Sequence, residues 1–124
     1  MNITELNRLK QHFNELNQDV EMHNWLNECG TSGCIAGWCC LLNGYKRADD
    51  NCRVITANGI VKFTQDAATD LLELNPNQSD NLFYPSNWPK EYNPQKYKDK
   101  NKWLIHSSIV AKRIQQFIDS NGEE

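Results

Sequence analysis

The sequence predicts a mainly α fold: a small helical domain around a buried central helix, with one short β-hairpin at about 53–63. Three observations lead there. Cys34 to Leu42 is the most apolar stretch of the chain, and wound as a helix it is apolar on nearly every side, the mark of an enclosed helix rather than a surface one. Leu6, Leu9, Phe13 and Leu16 near one end, and Val110, Ala111, Ile114, Phe117 and Ile118 near the other, recur at helical spacing and supply faces to cover it. The one convincing β signal is Arg53-Val54-Ile55-Thr56 and Ile60-Val61-Lys62-Phe63, set on either side of Ala57-Asn58-Gly59.

Taken in order, Thr4 caps a first helix over 4–17, with polar residues opposite the leucine and phenylalanine face. Residues 18–28 read as an irregular connection that drops Val20, Met22, Trp25 and Leu26 toward the core. Thr31 and Ser32 have hydroxyls suited to capping a helix N-terminus, so the central helix is expected over 32–43, closed by Asn43-Gly44. Ala36-Gly37 makes a smooth patch on it, where another backbone can approach closely. Tyr45 to Asn51 is polar, with Asp49-Asp50-Asn51 a turn. Asn58-Gly59 favours a type I′ hairpin, in which both central residues take positive φ. Thr64 caps a helix over 65–74, with Asp66, Asp70 and Glu73 on its solvent face and Asn75-Pro76 as its stop. A helical turn over 79–83 and an aromatic-proline segment over 83–92 follow. Asn93-Pro94 then opens a long helix over about 94–119.

At 124 residues, with no linker and no internal repeat, the chain is read as a single domain over 1–124. A formal net charge of −3 argues against a chain built as a whole to bind nucleic acid. Met1-Asn2-Ile3-Thr4-Glu5 lacks the basic and apolar regions of a signal peptide, and the longest apolar run is too short to span a bilayer. The expectation is a cytoplasmic protein with no membrane partner, whose five cysteines (29, 34, 39, 40 and 52) are reduced.

The run Cys29-Gly30-Thr31-Ser32-Gly33-Cys34-Ile35-Ala36-Gly37-Trp38 resembles the signature of a group of small, functionally uncharacterised phage and bacterial proteins. Met22, Trp25, Ala67, Leu71, Leu72, Leu74, Leu82-Phe83, Trp88-Pro89, Arg113-Ile114 and Phe117-Ile118 extend the likeness over most of the chain. That resemblance implies a phage or mobile-element origin, with no agreed enzymatic mechanism.

Four features carry possible chemistry. Cys34 at a helix N-terminus is placed like the nucleophile of a cysteine-dependent enzyme, with His12, His23 or His106 as base. Its structural alternative is a small buried hydrophobe. His23, Cys29 and Cys34, with Cys52 as a further ligand, have the donor types of a zinc site, but Cys-x4-Cys is looser than the usual knuckle. A Cys29–Cys34 disulfide would close the same loop, against the reducing compartment. Lys90, Lys96, Lys98, Lys100 and Lys102, interleaved with Tyr92, Tyr97 and Trp103, suggest nucleic acid through the 90–102 stretch. On a helix, however, these lysines scatter around the cylinder, as in a solvated start. Segment 83–92 is either a lid with Phe83 and Trp88 buried, or an exposed anchor for a protein partner through Tyr84, Trp88 and Tyr92. The reading adopted is a non-enzymatic intracellular binding protein without cofactor, and the resemblance adds that it acts on a host protein as a phage-type accessory or inhibitor. Its rival is the Cys34 enzyme.

Overall fold

The computed structural model describes residues 1–22, 25–26, 33–48, 50, 52–92 and 104–123. Within them the fold is mainly α with a small antiparallel sheet, as expected. The element order is α1 (Ile3–Leu16), β1 (Asp19–Glu21), α2 (Ile35–Leu42), β2 (Lys46–Arg47), β3 (Arg53–Ile55), β4 (Val61–Phe63), α3 (Thr64–Leu72), α4 (Pro76–Phe83), β5 (Leu104–His106) and α5 (Ser107–Asp119), with single 3-10 turns at Pro85–Asn87 and Lys90–Tyr92.

Helix α2 is central, as its composition dictates. Ile35, Ala36, Gly37, Cys39 and Cys40 are buried, and Trp38, Leu41 and Leu42 are half-buried. It packs mainly on α3, while α1 packs mainly on α5. Cys34, and neither Thr31 nor Ser32, holds the N-cap position of α2; those two residues lie outside the described residues. A segment through Trp25 and Leu26 crosses this end of the helix, and Leu26 forms a β-bridge with Gly33. Gly33 and Gly37, one turn apart, both lie against the Trp25 carbonyl. A Cβ on Gly37 would stand 1.7 Å from that oxygen and one on Gly33 2.0 Å from it. Neither position admits a side chain, because the obstacle is backbone.

Helix α1 is capped by Asn2, whose Oδ1 accepts from the Glu5 N–H at 3.2 Å, two residues earlier than the Thr4 cap read from sequence. It ends on Asn17 at φ +48°, a left-handed position that asparagine tolerates. Residues 19–21, expected to be irregular, form β1 against β5, with Val20 opposite Ile105 and both buried. Three residues of the expected 94–119 helix are therefore strand, and α5 starts only at Ser107. Residues 94–103 of that helix lie outside the described residues. The ladder ties the end of α1 to the start of α5: the Ser107 N–H donates to the Gln18 carbonyl at 2.8 Å, and the Gln18 N–H to Ser107 Oγ at 3.2 Å.

The hairpin is present, but β2 joins it to make a three-stranded sheet, ordered β2-β3-β4. Its turn is not type I′. Asn58 keeps negative φ and Gly59 alone is left-handed, at φ +81°. The Gly59 N–H donates to the Thr56 carbonyl at 2.9 Å and the Thr56 N–H to the Ile60 carbonyl at 2.8 Å. That is a three-residue connection, a type I turn with glycine at the bulge. Thr64 is buried inside the first turn of α3, and Phe63 takes the N-cap position. Helix α3 ends at Leu72, with Glu73 left-handed at φ +54° as its C-cap, short of the Asn75-Pro76 stop read from sequence; Asn75-Pro76 instead opens a full helix, α4, through a capping box of Asn75 with Gln78.

Arg113, on the inner side of α5, is wholly buried. It donates to the Asn81 carbonyl at 2.9 Å and to Gln116 Oε1, and its guanidinium lies 5.9 Å from the Trp88 ring centre and 5.6 Å from that of Phe117. The cation thus fastens α4 and the aromatic-proline segment to α5.

Two outcomes follow. Gly37→Ala forces Trp25 off the helix and should destabilise the fold by about 3 kcal/mol, read from the urea midpoint. The second concerns His12, half-buried, with its ring centre 4.1 Å from that of Trp38. Its Nε2 is buried with no hydrogen-bond partner among the described residues. Burial holds its pKa below the usual 6.5, with Glu15 opposing. The unfolded chain therefore takes the proton first, so stability is full above about pH 6.5 and falls as pH drops through the folded value. His12→Phe should flatten the decline in thermal midpoint between about pH 7 and pH 5.

Candidate functional site

In a strand, successive side chains take opposite faces. Val54, in the middle of β3, points inward and is fully buried. The residues either side of it point outward, and the register sets Arg53 opposite Phe63, Ile55 opposite Val61, and Lys46 opposite Ile55. The outer face of the sheet is therefore Lys46, Arg53, Ile55, Val61 and Phe63. Ile55 is 36% exposed, Val61 54% and Phe63 59%, with Ile60 of the turn at 54%. These are four of the six large exposed hydrophobic residues among the described residues, the others being Ile3 and Tyr84. Single exposed apolar residues are ordinary, but a contiguous set is informative.

The electrostatics of this face differ from those of the chain as a whole. The outer face carries two cations, Lys46 and Arg53, and no acid among its strand residues, in a chain of net charge −3; Arg47 and Lys62 lie on the other face, with Val54. The Arg53 guanidinium lies 6.0 Å from the Phe63 ring centre and pairs with Asp50 at 3.3 Å. Lys62, on the opposite face, reaches Asp70 of α3 at 2.9 Å. The hydrogen bond and charge of Asp70 hold the ammonium above the usual lysine range. Beside Arg53, a shallow groove of about 220 Å³ is lined by Ala48, Asp50, Ile55 and Val61. The arrangement suits a protein surface that contributes apolar side chains and negative charge.

No family model, curated protein or solved structure matches the chain.

Cys34 is buried, and its Sγ donates to the Trp25 carbonyl at 4.0 Å. Burial pushes its pKa up to about 11, although the amides of Gly37, Ala36 and Cys34 itself pull the other way. The helix N-terminus that would activate the thiol loses to desolvation. Burial likewise lifts Cys40 to about 12 and raises Cys39 further. Neither candidate base among the described residues meets Cys34. His12 lies on Trp38, while His106 Nδ1 accepts from the Ser108 N–H at 3.2 Å as the cap of α5. His23 lies outside the described residues, as does Cys29, so the His23, Cys29 and Cys34 zinc set and the Cys29–Cys34 disulfide fall there too. Among the described residues no group of three His, Cys, Asp or Glu side chains is arranged to hold a metal. No described helix is long and apolar enough to cross a membrane.

The three aromatic interface candidates separate. Trp88 is 3% exposed and its indole N–H donates to the Leu82 carbonyl at 2.9 Å; with Phe83 it belongs to the core. Tyr84 is exposed at 36%, donates its hydroxyl to Gln65 at 2.8 Å and meets Trp25 edge-on at 5.8 Å. Tyr92 is half-buried in the last 3-10 turn. Of the basic stretch, Lys90 is exposed, and the lysines at 96, 98, 100 and 102 lie outside the described residues.

If these thiols are structural, Cys34, Cys39 and Cys40 should resist alkylation at neutral pH and label only when the protein unfolds. Peptide mapping after a brief pulse of iodoacetamide reads this directly, and rapid labelling of Cys34 would restore the nucleophile.

Proposed function

We propose that this chain is a non-enzymatic, cytoplasmic binding protein that docks a partner protein on the outer face of its small sheet. The observation that carries this reading is the contiguous exposure of Ile55, Val61 and Phe63 on that face. Apolar surface left in water costs about 25 cal/mol per Å² relative to burial, so a partner that covers it gains affinity. The burial of Cys34 and its raised pKa weigh against the cysteine-enzyme alternative. The resemblance to phage and bacterial proteins makes a bacterial host protein the partner, and an accessory or inhibitory role the result. Tyr84 keeps the exposure to add a second contact; Trp88 does not.

The test is capture from bacterial lysate on immobilised protein, comparing the intact chain with Phe63→Ser and Cys34→Ala at matched circular dichroism. A partner held by the intact chain and by Cys34→Ala, but weakened about tenfold or more by Phe63→Ser, fits the reading. Equal capture by the intact chain and Phe63→Ser removes the sheet face from it.

A further inference from the structure

We infer that Asn58 is a site of spontaneous covalent modification: the Gly59 backbone nitrogen attacks its side-chain amide and converts it to a mixture of aspartate and isoaspartate. The inference is independent of the docking reading.

The reaction needs an asparagine followed by a residue that does not shield its own nitrogen, and glycine, having no side chain, meets that need best. The chain has three such pairs, Asn43-Gly44, Asn58-Gly59 and Asn121-Gly122. As dipeptides they are equal. The fold separates them.

Asn43 is the C-cap of α2. Its Nδ2 donates to the Cys39 carbonyl at 2.8 Å and to Glu5 Oε2 at 3.2 Å, and the Gly44 N–H donates to the Leu41 carbonyl at 3.1 Å. Attack there has to break all three bonds and loosen the end of the central helix. Asn121 follows α5 at φ +56°, and the Gly122 N–H donates to the Phe117 carbonyl at 2.9 Å. Gly122 is buried, and a Cβ on it would stand 2.6 Å from Gln78 Nε2 and 2.7 Å from Met1 Sδ. This glycine is held and walled in.

Asn58 has neither restraint. It is exposed, and its side chain meets no hydrogen-bond partner among the described residues. Among those residues, nothing stands within 4 Å of a Cβ built on Gly59. One bond holds the attacking nitrogen, from the Gly59 N–H to the Thr56 carbonyl at 2.9 Å. Ala57, Asn58, Gly59 and Ile60 are all exposed, so opening that bond disturbs no core contact. Bonds of this kind open locally while the rest of a fold stays closed.

The chemistry needs only water. The Gly59 nitrogen loses its proton and bonds to Asn58 Cγ; the Cγ–Nδ2 bond breaks, and ammonia leaves with that proton. The product is a cyclic imide, which water opens at either carbonyl. Breaking the bond from nitrogen to Cγ gives aspartate. Breaking the bond from nitrogen to the Asn58 main-chain carbonyl carbon leaves the backbone running through Cβ and Cγ, which is isoaspartate. No oxidant or reductant takes part. Either product adds negative charge to a chain already at −3. Isoaspartate also adds a methylene to a connection closed by Gly59 at φ +81°.

The experiment ages the purified, full-length protein in warm, mildly alkaline buffer, with and without denaturant, and follows it by peptide mapping. Both products show the mass gain of an amide turned to an acid, and an endoprotease that cuts before aspartate but not isoaspartate tells them apart. In the native protein Asn58 should react at least about tenfold faster than Asn43 and Asn121, with isoaspartate among its products. In denaturant the three sites should react at similar rates. Asn58→Gln, whose longer side chain closes the ring poorly, should silence position 58 at unchanged circular dichroism. A native Asn58 that stays intact, or a native Asn43 or Asn121 that reacts as fast, overturns the proposal. Aspartate without isoaspartate also overturns it, because water and not Gly59 would then be the attacking group.

Discussion

Two glycines one helical turn apart, pressed against one carbonyl oxygen, set the terms for this fold. With Gly33 and Gly37 bare, the Trp25 carbonyl sits directly on the start of α2, closer than any side chain would allow. That contact closes the top of the core. It places Leu26 inside, seals Cys34 from water and leaves α2 enclosed at its N-terminal end as it is along its sides. Gly33, Cys34 and Gly37 of the motif are thereby explained as packing. The amides at the head of α2 do favour a thiolate on Cys34, but the crossing segment removes the water that a charged sulfur requires, and desolvation is the larger effect.

Much of this was legible in the sequence because the periodicities are clean. The enclosed helix, the inner faces of α1, α3 and α5, and the hairpin all follow from apolar spacing. The smooth patch at Ala36-Gly37 was readable as a place of close approach, although not what approaches. Three features were not legible, for physical reasons. Strand β5 is three residues long and abuts α5, so helical spacing runs on through it; only its pairing with β1, more than eighty positions away by register, makes it a strand. Arg113 reads as a surface charge until its neighbours are known, and these include the Asn81 carbonyl of α4 and the Trp88 ring as well as Gln116 and Phe117 of its own helix. The type I′ turn was a fair reading of Asn-Gly, but the Thr56–Ile60 pairing leaves three residues to the connection rather than two, and the bulge form then wins.

The candidate site was hidden for a related reason. Ile55, Val61 and Phe63 look as fit for burial as Val54 does, and alternation says only that neighbours part, not which side is wet. The aromatic-proline segment drew attention instead, since Trp and Tyr dominate interfaces. There the fold spends Trp88 on the core, beside Arg113, and leaves Tyr84 outside. The surface proposed for docking is aliphatic and phenyl, on a sheet, with Lys46 and Arg53 on the same face.

No residue separates β4 from α3. Phe63 is the last residue of the strand and the N-cap of the helix, and Thr64, the next, is already buried. Lys62 reaches Asp70 across the same junction, and the strand runs into its supporting helix with no loop between them. In the docking proposed for this face, a partner would meet a strand continuous with its supporting helix. The ordering entropy of association would then fall on the partner, and rigidity built into a ligand designed for the face would be the most direct route to tight binding.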